Sequence, residues 1–218
     1  MLTPRHYQTE AVDSLYQFFR ENPEGNPLVA LPTGTGKALV IAMFIHQTLS
    51  MWPGQRFMIA THVKELVEQN YKELLELWPT APCGIYSAGL KRKEAHLPIT
   101  FAGIGSVAKR IEIFGHIDIL MVDEAHMISH REGTVYVKAI NALKTRNPNL
   151  KVVGLTATPF RTGLGCLTEG DIFHKITTDY TSLEKFNQLV DEGFLCPLIP
   201  KKTDSELSVV GVHIENGD

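Results

Sequence analysis

Short apolar, β-branched runs alternate along the chain with amphipathic stretches of helical period. That is the pattern of a mostly parallel sheet covered by helices on both faces. The first amphipathic stretch sets Tyr7, Ala11, Leu15, Phe18 and Phe19 on one helical stripe, with Thr3 as candidate N-cap and Pro4 as first helical residue. A turn over residues 22–27 leads to a short strand at 28–31. A glycine-rich loop follows, then a helix from about Gly36 whose opening residues 38–45 are apolar on every side and therefore belong in the interior. The next strand is expected at 56–60. Thr61 is a candidate cap for a helix with Val63, Leu66, Val67, Tyr71 and Leu74 on its apolar stripe. Shorter strands are expected near 83–86 and 99–101, and buried central strands at 117–122 and 151–155, separated by a helix around 135–144. A last helix is announced by a capping box, Thr181-x-x-Glu184, and ended by Gly193. Beyond Pro197 the chain turns polar.

Length and composition narrow the class. The 218 residues fit one domain and a fragment of a second. With 44% hydrophobic and 21% charged residues, a full core is expected and disorder or coiled coil is disfavoured for the bulk of the chain. Lys and Arg number 21 against 24 Asp and Glu, a net charge of −3, so nucleic acid would have to be met by a local basic patch and not by a global positive field. The cysteines, Cys83, Cys166 and Cys196, form no Cys-x-x-Cys pair; they support neither a disulfide framework nor a Cys-rich zinc site and suit a reduced, intracellular setting. No run approaches 18 uncharged apolar residues and the first ten residues are too polar for a signal peptide, so no membrane is expected.

The chemistry concentrates in three places. Leu31-Pro32-Thr33-Gly34-Thr35-Gly36-Lys37 lies between a strand and a helix. There the glycines let backbone N–H groups approach phosphate oxygens, the helix start adds positive potential, and Lys37 reaches the β- and γ-phosphates. The next residue in such loops is Ser or Thr, whose hydroxyl ligates Mg²⁺; here it is Ala38. The loop can still fold and bind phosphate, but one oxygen on the metal is lost, at a scale of roughly 10–100-fold in Mg²⁺ affinity or activity. A tolerated natural variant, a naturally weak ATPase and an engineered knock-down all fit. Second, Asp123-Glu124-Ala125-His126 stands at the carboxyl end of a buried strand, where open α/β sheets bind ligands. Asp123 is the expected metal ligand, Glu124 the base that orients and deprotonates water, and His126 a bridge to the neighbouring strand. His126 and His130 as a zinc pair lack companion ligands. Third, Thr156-Ala157-Thr158 closes the next strand, where its hydroxyls can bond to the acidic box and couple hydrolysis to movement.

In this order the elements resemble the first RecA-like motor domain of superfamily-two DEAD/DEAH-box helicases, over roughly residues 3–198. Arg5-His6-Tyr7-Gln8 is similar to the family's adenine-reading motif, with His6 in place of proline. The likeness is nearest to bacterial and phage RadD-like DNA-repair helicases, carried by residues 61–70, 86–93 and 154–161. It implies an α/β P-loop NTPase using ATP and Mg²⁺, with Arg5, Tyr7 and Gln8 around the adenine and residues 32–38 around the phosphates. It also implies contacts to single-stranded or forked DNA, RNA being the lesser expectation, from Thr61, His62, Lys64, the Gly103–Ser106 turn and Arg161. Thr61-His62 also reads simply as a helix cap, and Lys91-Arg92-Lys93 as either a solvated loop or a phosphate-contacting one. The expected organisation is an ATP-binding domain at 1–197 and a connector at 198–218 toward a missing second RecA-like domain. The arginine fingers of that second domain would be worth ~10³–10⁵ in rate, so the chain alone should turn ATP over barely at all. A catalytically weakened binding module and the motor part of a restriction or remodelling complex are the alternatives.

Overall fold

The computed structural model describes residues 3–128, 134–161 and 165–197; the expected connector at 198–218, and His130, lie outside them. An eight-stranded sheet forms the centre: β1 (Pro27–Ala30), β2 (Phe57–Thr61), β3 (Cys83–Ser87), β4 (Arg92–Lys93), β5 (Ile99–Gly103), β6 (Ile119–Asp123), β7 (Lys151–Thr156) and β10 (Lys175–Asp179). Its order is β10-β1-β7-β6-β2-β5-β3-β4. Within this sheet every described pairing is parallel except that of β3 with β4. β8 (Phe160–Arg161) and β9 (Gly165–Cys166) make a separate small ribbon.

Strand alternation sorts the apolar side chains into two cores. In β2, Phe57 and Ile59 face one cluster, shared with α1 (His6–Glu21), α2 (Lys37–Met51), α3 (Lys64–Leu77) and α6 (Leu183–Asp191). Met58 and Ala60 face the other, shared with α4 (Ile104–Lys109) and α5 (Val135–Arg146). Residues 38–45 of α2 are all buried, as their unbroken apolar run requires.

Several boundaries depart from the sequence reading, each for a local reason. α1 starts at His6 and not at Pro4, because Gln8 Oε1 accepts the Arg5 backbone N–H at 2.9 Å and makes Arg5 the cap. Thr61 ends β2; the N-cap of α3 is Val63, whose N–H reaches the Thr61 hydroxyl only at 3.5 Å. The expected turn at residues 103–106 is the last residue of β5 and the first turn of α4. Ser182, and not Thr181, caps α6, since Asp179 Oδ1 engages both the N–H and the hydroxyl of Thr181 at 2.8 and 2.7 Å.

Gly154 in β7 is a close-approach glycine. A Cβ there would stand 2.6 Å from Leu28 Cδ1 and from Phe173 Cε1 and Cζ. Gly154→Ala is expected to cost about 1–3 kcal/mol by overpacking, read as a lower denaturant midpoint at unchanged slope.

Candidate functional site

β1, β7 and β6 are neighbours, and the segments leaving their carboxyl ends meet at one rim of the sheet. After β1, Gly34 (φ 85°) and Gly36 (φ 77°) take the left-handed conformation that glycine adopts without penalty. A Cβ on Gly36 would also come within 2.7 Å of Gln8 Nε2. Thr35 is fully buried; its hydroxyl donates to the Pro32 carbonyl at 2.7 Å, and its own carbonyl accepts Tyr7 Oη at 3.0 Å and Gln8 Nε2 at 2.8 Å. Pro32 is buried, whereas Thr33, Gly34 and Gly36 form the exposed side of the loop. Lys37 opens α2, and its ammonium donates to the carbonyls of Leu31 and Pro32 at 3.3 and 3.4 Å. The buried Ala38 follows it.

On the acidic side, Asp123 is 4% exposed. Asn70 Nδ2 of α3 donates to its Oδ2 at 2.8 Å, and the Glu124 backbone N–H donates to its Oδ1 at 3.1 Å. Burial pushes the Asp123 carboxyl above the usual range; the Asn70 bond pulls it back, the Glu124 charge pushes it further up and Lys37 opposes. Glu124 sits at φ 57°, ψ 50°, a left-handed conformation that costs a non-glycine residue on the order of 1–3 kcal/mol and marks functional sites. Its Oε2 lies 3.2 Å from His126 Nδ1, which is 3.0 Å from Thr156 Oγ1.

Thr156 joins the two sides. Its hydroxyl touches His126 and accepts the Thr158 N–H at 3.0 Å, while its carbonyl accepts the Leu31 N–H at 2.9 Å, at the entrance of the phosphate loop. Thr156 is fully buried, Ala157 half-buried and Thr158 exposed.

The residues around α1 are tied to this loop. Both ends of the buried Gln8 amide are engaged within the protein, so Gln8 first holds the phosphate loop against α1. Arg5 Nη1 donates to Tyr7 Oη at 2.9 Å, and the guanidinium lies 4.8 Å from the Phe194 ring centre. His6 Nε2 meets Glu192 Oε2 at 2.7 Å, holding that carboxyl below its ordinary range.

Further along the same rim, past β2 and β5, a cavity of about 810 Å³ is lined by His62, Lys64, Arg92, Lys93, Lys109 and Arg110, with Gly103 and Ser106 beside them. Thr61, grouped with His62 and Lys64 from sequence, is fully buried, so only the latter two present side chains here. Ser106 Oγ accepts the Ala88 N–H at 3.0 Å. Of the basic run, Arg92 is committed to Glu94 at 2.7 Å and to the Tyr71 ring, while Lys91 and Lys93 are exposed. Arg161 belongs to β8, away from the main sheet order. A larger apolar cavity of about 960 Å³ lies at the opposite rim, against Ile119 and Lys151, and touches none of the motifs.

Two residues at the acidic box escaped the sequence reading. Asn70 interrupts the buried stripe of Val67 and Leu74, and a buried amide inside an apolar stripe is itself a signal. Tyr136 of α5 is buried, and among the described residues its hydroxyl has no hydrogen-bond partner; burial, then the charges of Asp123 and Glu124, push its pKa up.

A family model described as "Type III restriction enzyme, res subunit" matches residues 1–161. The "ATP-dependent DNA helicase fml1" of Schizosaccharomyces pombe is 25% identical over 150 residues, 62% of this chain and 17% of the relative. The chain thus spans about a sixth of that protein's length. Among solved structures, the Hef helicase domain of Pyrococcus furiosus superposes with a TM-score of 0.56 at 19% identity, over 88% of this chain and 37% of that one. The UvsW helicase from bacteriophage T4 superposes with a TM-score of 0.59 at 20% identity, over 80% and 60%. With the parallel sheet and its flanking helices, these likenesses establish an α/β RecA-like fold.

Proposed function

The chain belongs to the family described as type III restriction enzyme, res subunit, and from that premise we propose that it is the ATP-binding motor domain of an ATP-dependent DNA helicase or translocase. The observation that carries this reading is the set of bonds at Thr156, which ties a phosphate loop to an acidic box across adjacent strands. A site that only stored nucleotide would have no use for that connection, nor for a carboxylate held in a strained turn beside it. Several relatives are ATP-dependent DNA helicases by name, which supports the same conclusion.

In this reading the loop amides of residues 33–36 and the amino end of α2 receive the triphosphate, and Lys37 exchanges its two carbonyl partners for phosphate oxygens. Arg5, Tyr7 and Gln8 border the adenine. Asp123 is the metal-side carboxylate. Among the described residues no cluster of three or more His, Cys, Asp or Glu surrounds one point; one carboxylate with phosphates and waters is the donor set that Mg²⁺ takes in nucleotide sites, and Asp123 suits it. Mg²⁺ bound there supplies charge neutralisation across the phosphates. Glu124 takes the proton of the attacking water, and His126 carries its position to Thr156 and so to Ala157 and Thr158.

His62, Lys64, Gly103 and Ser106 face the basic cavity and would meet a single-stranded or forked DNA backbone; Arg161 is a further candidate contact. The buried Thr61 acts there through its backbone position. Kinship with RadD-like DNA-repair helicases, a cytoplasmic setting and a second RecA-like domain following a connector at 198–218 belong to the same reading. The restriction-complex alternative draws on the family's own description. Ala38 favours a weakened binding module, but intact Lys37, Asp123 and Glu124 argue for hydrolysis.

The test is binding of a fluorescent ATP analogue with Mg²⁺ to the 218-residue chain. Saturable binding is expected, weakened about 10-fold or more in Lys37→Ala by loss of a charged hydrogen bond. No binding at saturating analogue would end the reading.

A further inference from the structure

We propose that Asn70 is a positioning residue that fixes the orientation of the Asp123 carboxylate, and that through it α3 links the basic cavity to the metal side of the nucleotide site. The inference rests on the functional reading above and deepens it.

α3 serves two places at once. Its first residue, Lys64, lines the basic cavity, with His62 just ahead of the helix. Six residues after Lys64, about 9 Å along the axis at 1.5 Å per residue, Asn70 reaches the acidic box. Asn70 is 2% exposed, and its Nδ2 donates to Asp123 Oδ2 at 2.8 Å in a fully buried bond. Its neighbours on that face are Val67 and Leu74. An amide there is tolerated only because it is bonded, since an unpaired one would be costly. The Glu124 backbone N–H holds the other oxygen, Oδ1, at 3.1 Å. With one donor on each oxygen, the plane of the carboxylate is set, and each oxygen keeps a lone pair for a metal or its water.

The two donors come from different directions. One belongs to the strained turn that carries Glu124. The other belongs to a helix whose first residue, Lys64, is one of the cations lining the cavity. A phosphodiester strand seated against Lys64 therefore bears on the same rigid helix that holds Asp123. Occupancy of the cavity and metal-dependent nucleotide binding then share a free energy of coupling, and each must strengthen the other by the same factor.

The experiment compares the 218-residue chain with Asn70→Leu, which keeps the branched outline of the side chain but removes the donor, and Asn70→His, which keeps an N–H donor at similar reach. Binding of a fluorescent ATP analogue is measured against Mg²⁺ concentration, again in EDTA, and with and without oligo-dT; thermal melting reports folding. In Asn70→Leu the Mg²⁺ midpoint is expected to rise roughly 10–100-fold, the scale for a group supporting a metal ligand. Binding in EDTA and of oligo-dT alone should be unchanged, and the strengthening by oligo-dT should vanish. Asn70→His should restore most of the Mg²⁺ midpoint. Should Asn70→Leu fail to fold, Asn70→Ser, with its donor out of reach, is read in the same way. An unchanged Mg²⁺ midpoint, or an equal loss in EDTA, overturns the proposal while leaving the nucleotide reading intact. Failure of the unaltered chain to bind the analogue overturns both.

Discussion

Glu124→Gln is expected to hold ATP as the unaltered chain does and to hydrolyse it roughly 10²–10⁴-fold more slowly, the span attributed to a positioned general base. Glutamine keeps the shape of the side chain and the contact to His126, which lies 3.2 Å from the Glu124 carboxylate; what it loses is the capacity to accept a proton. Because both residues must adopt the same φ of 57°, the backbone cost is the same in each and folding stability should not change. Glu124→Gly removes that cost as well as the carboxylate. It should therefore melt at or above the temperature of the unaltered chain while being equally slow, separating strain kept for function from strain needed for the fold. Single-turnover hydrolysis with enzyme in excess and DNA present, paired with thermal melts, reads both. Equal rates in the unaltered and Gln forms would remove Glu124 from the reaction.

Ala38→Thr is expected to act in the opposite sense. Ala38 is the second residue of α2, directly after Lys37, and is 7% exposed. A hydroxyl at that position regains the oxygen that phosphate loops direct at Mg²⁺. The Mg²⁺ requirement should fall, and hydrolysis rise, by about 10–100-fold. The helix cost of threonine relative to alanine is below ~0.7 kcal/mol, small beside that gain. Ala38→Ser, with less bulk against the core, should behave alike. In a longer protein that carries the second motor domain, hydrolysis by neither the Thr nor the Ala form with DNA present would end the motor reading and leave a binding module.

What could be read in advance was whatever is written in local spacing. The phosphate loop, the acidic box and the threonine pair declare themselves within a few residues each, and strands β1, β2, β6 and β7 are continuous apolar runs because both faces of a parallel sheet are covered. β10 was illegible. Lys-Ile-Thr-Thr-Asp is an edge strand in which only Thr178 is buried, so neither an apolar run nor a clear alternation marks it. α4 was read as a turn because two glycines flank its first residue. The bond from Asn70 to Asp123 spans 53 residues, and no local pattern encodes a partner that distant. The same is true of Phe194, whose ring meets Arg5 near the other end of the described chain. The start of α6 slipped by one residue because a second acceptor, Asp179, takes up the N–H and hydroxyl of Thr181.

The place of β1 in the sheet bears on the order of assembly. Both of its neighbours, β7 and β10, come late in the chain. Asn26 at its entrance is stapled to Val152 across 126 residues and to His174 across 148. On a ribosome, β2 can find β5 and β6 while the chain is still short, whereas β1 waits for residues that emerge near the end of the body. Closing so long a loop is slow. The nucleotide cradle is thus among the last parts to acquire its shape, and a nascent chain halted before Lys151 would carry the whole phosphate-loop sequence without the strands that hold it in form.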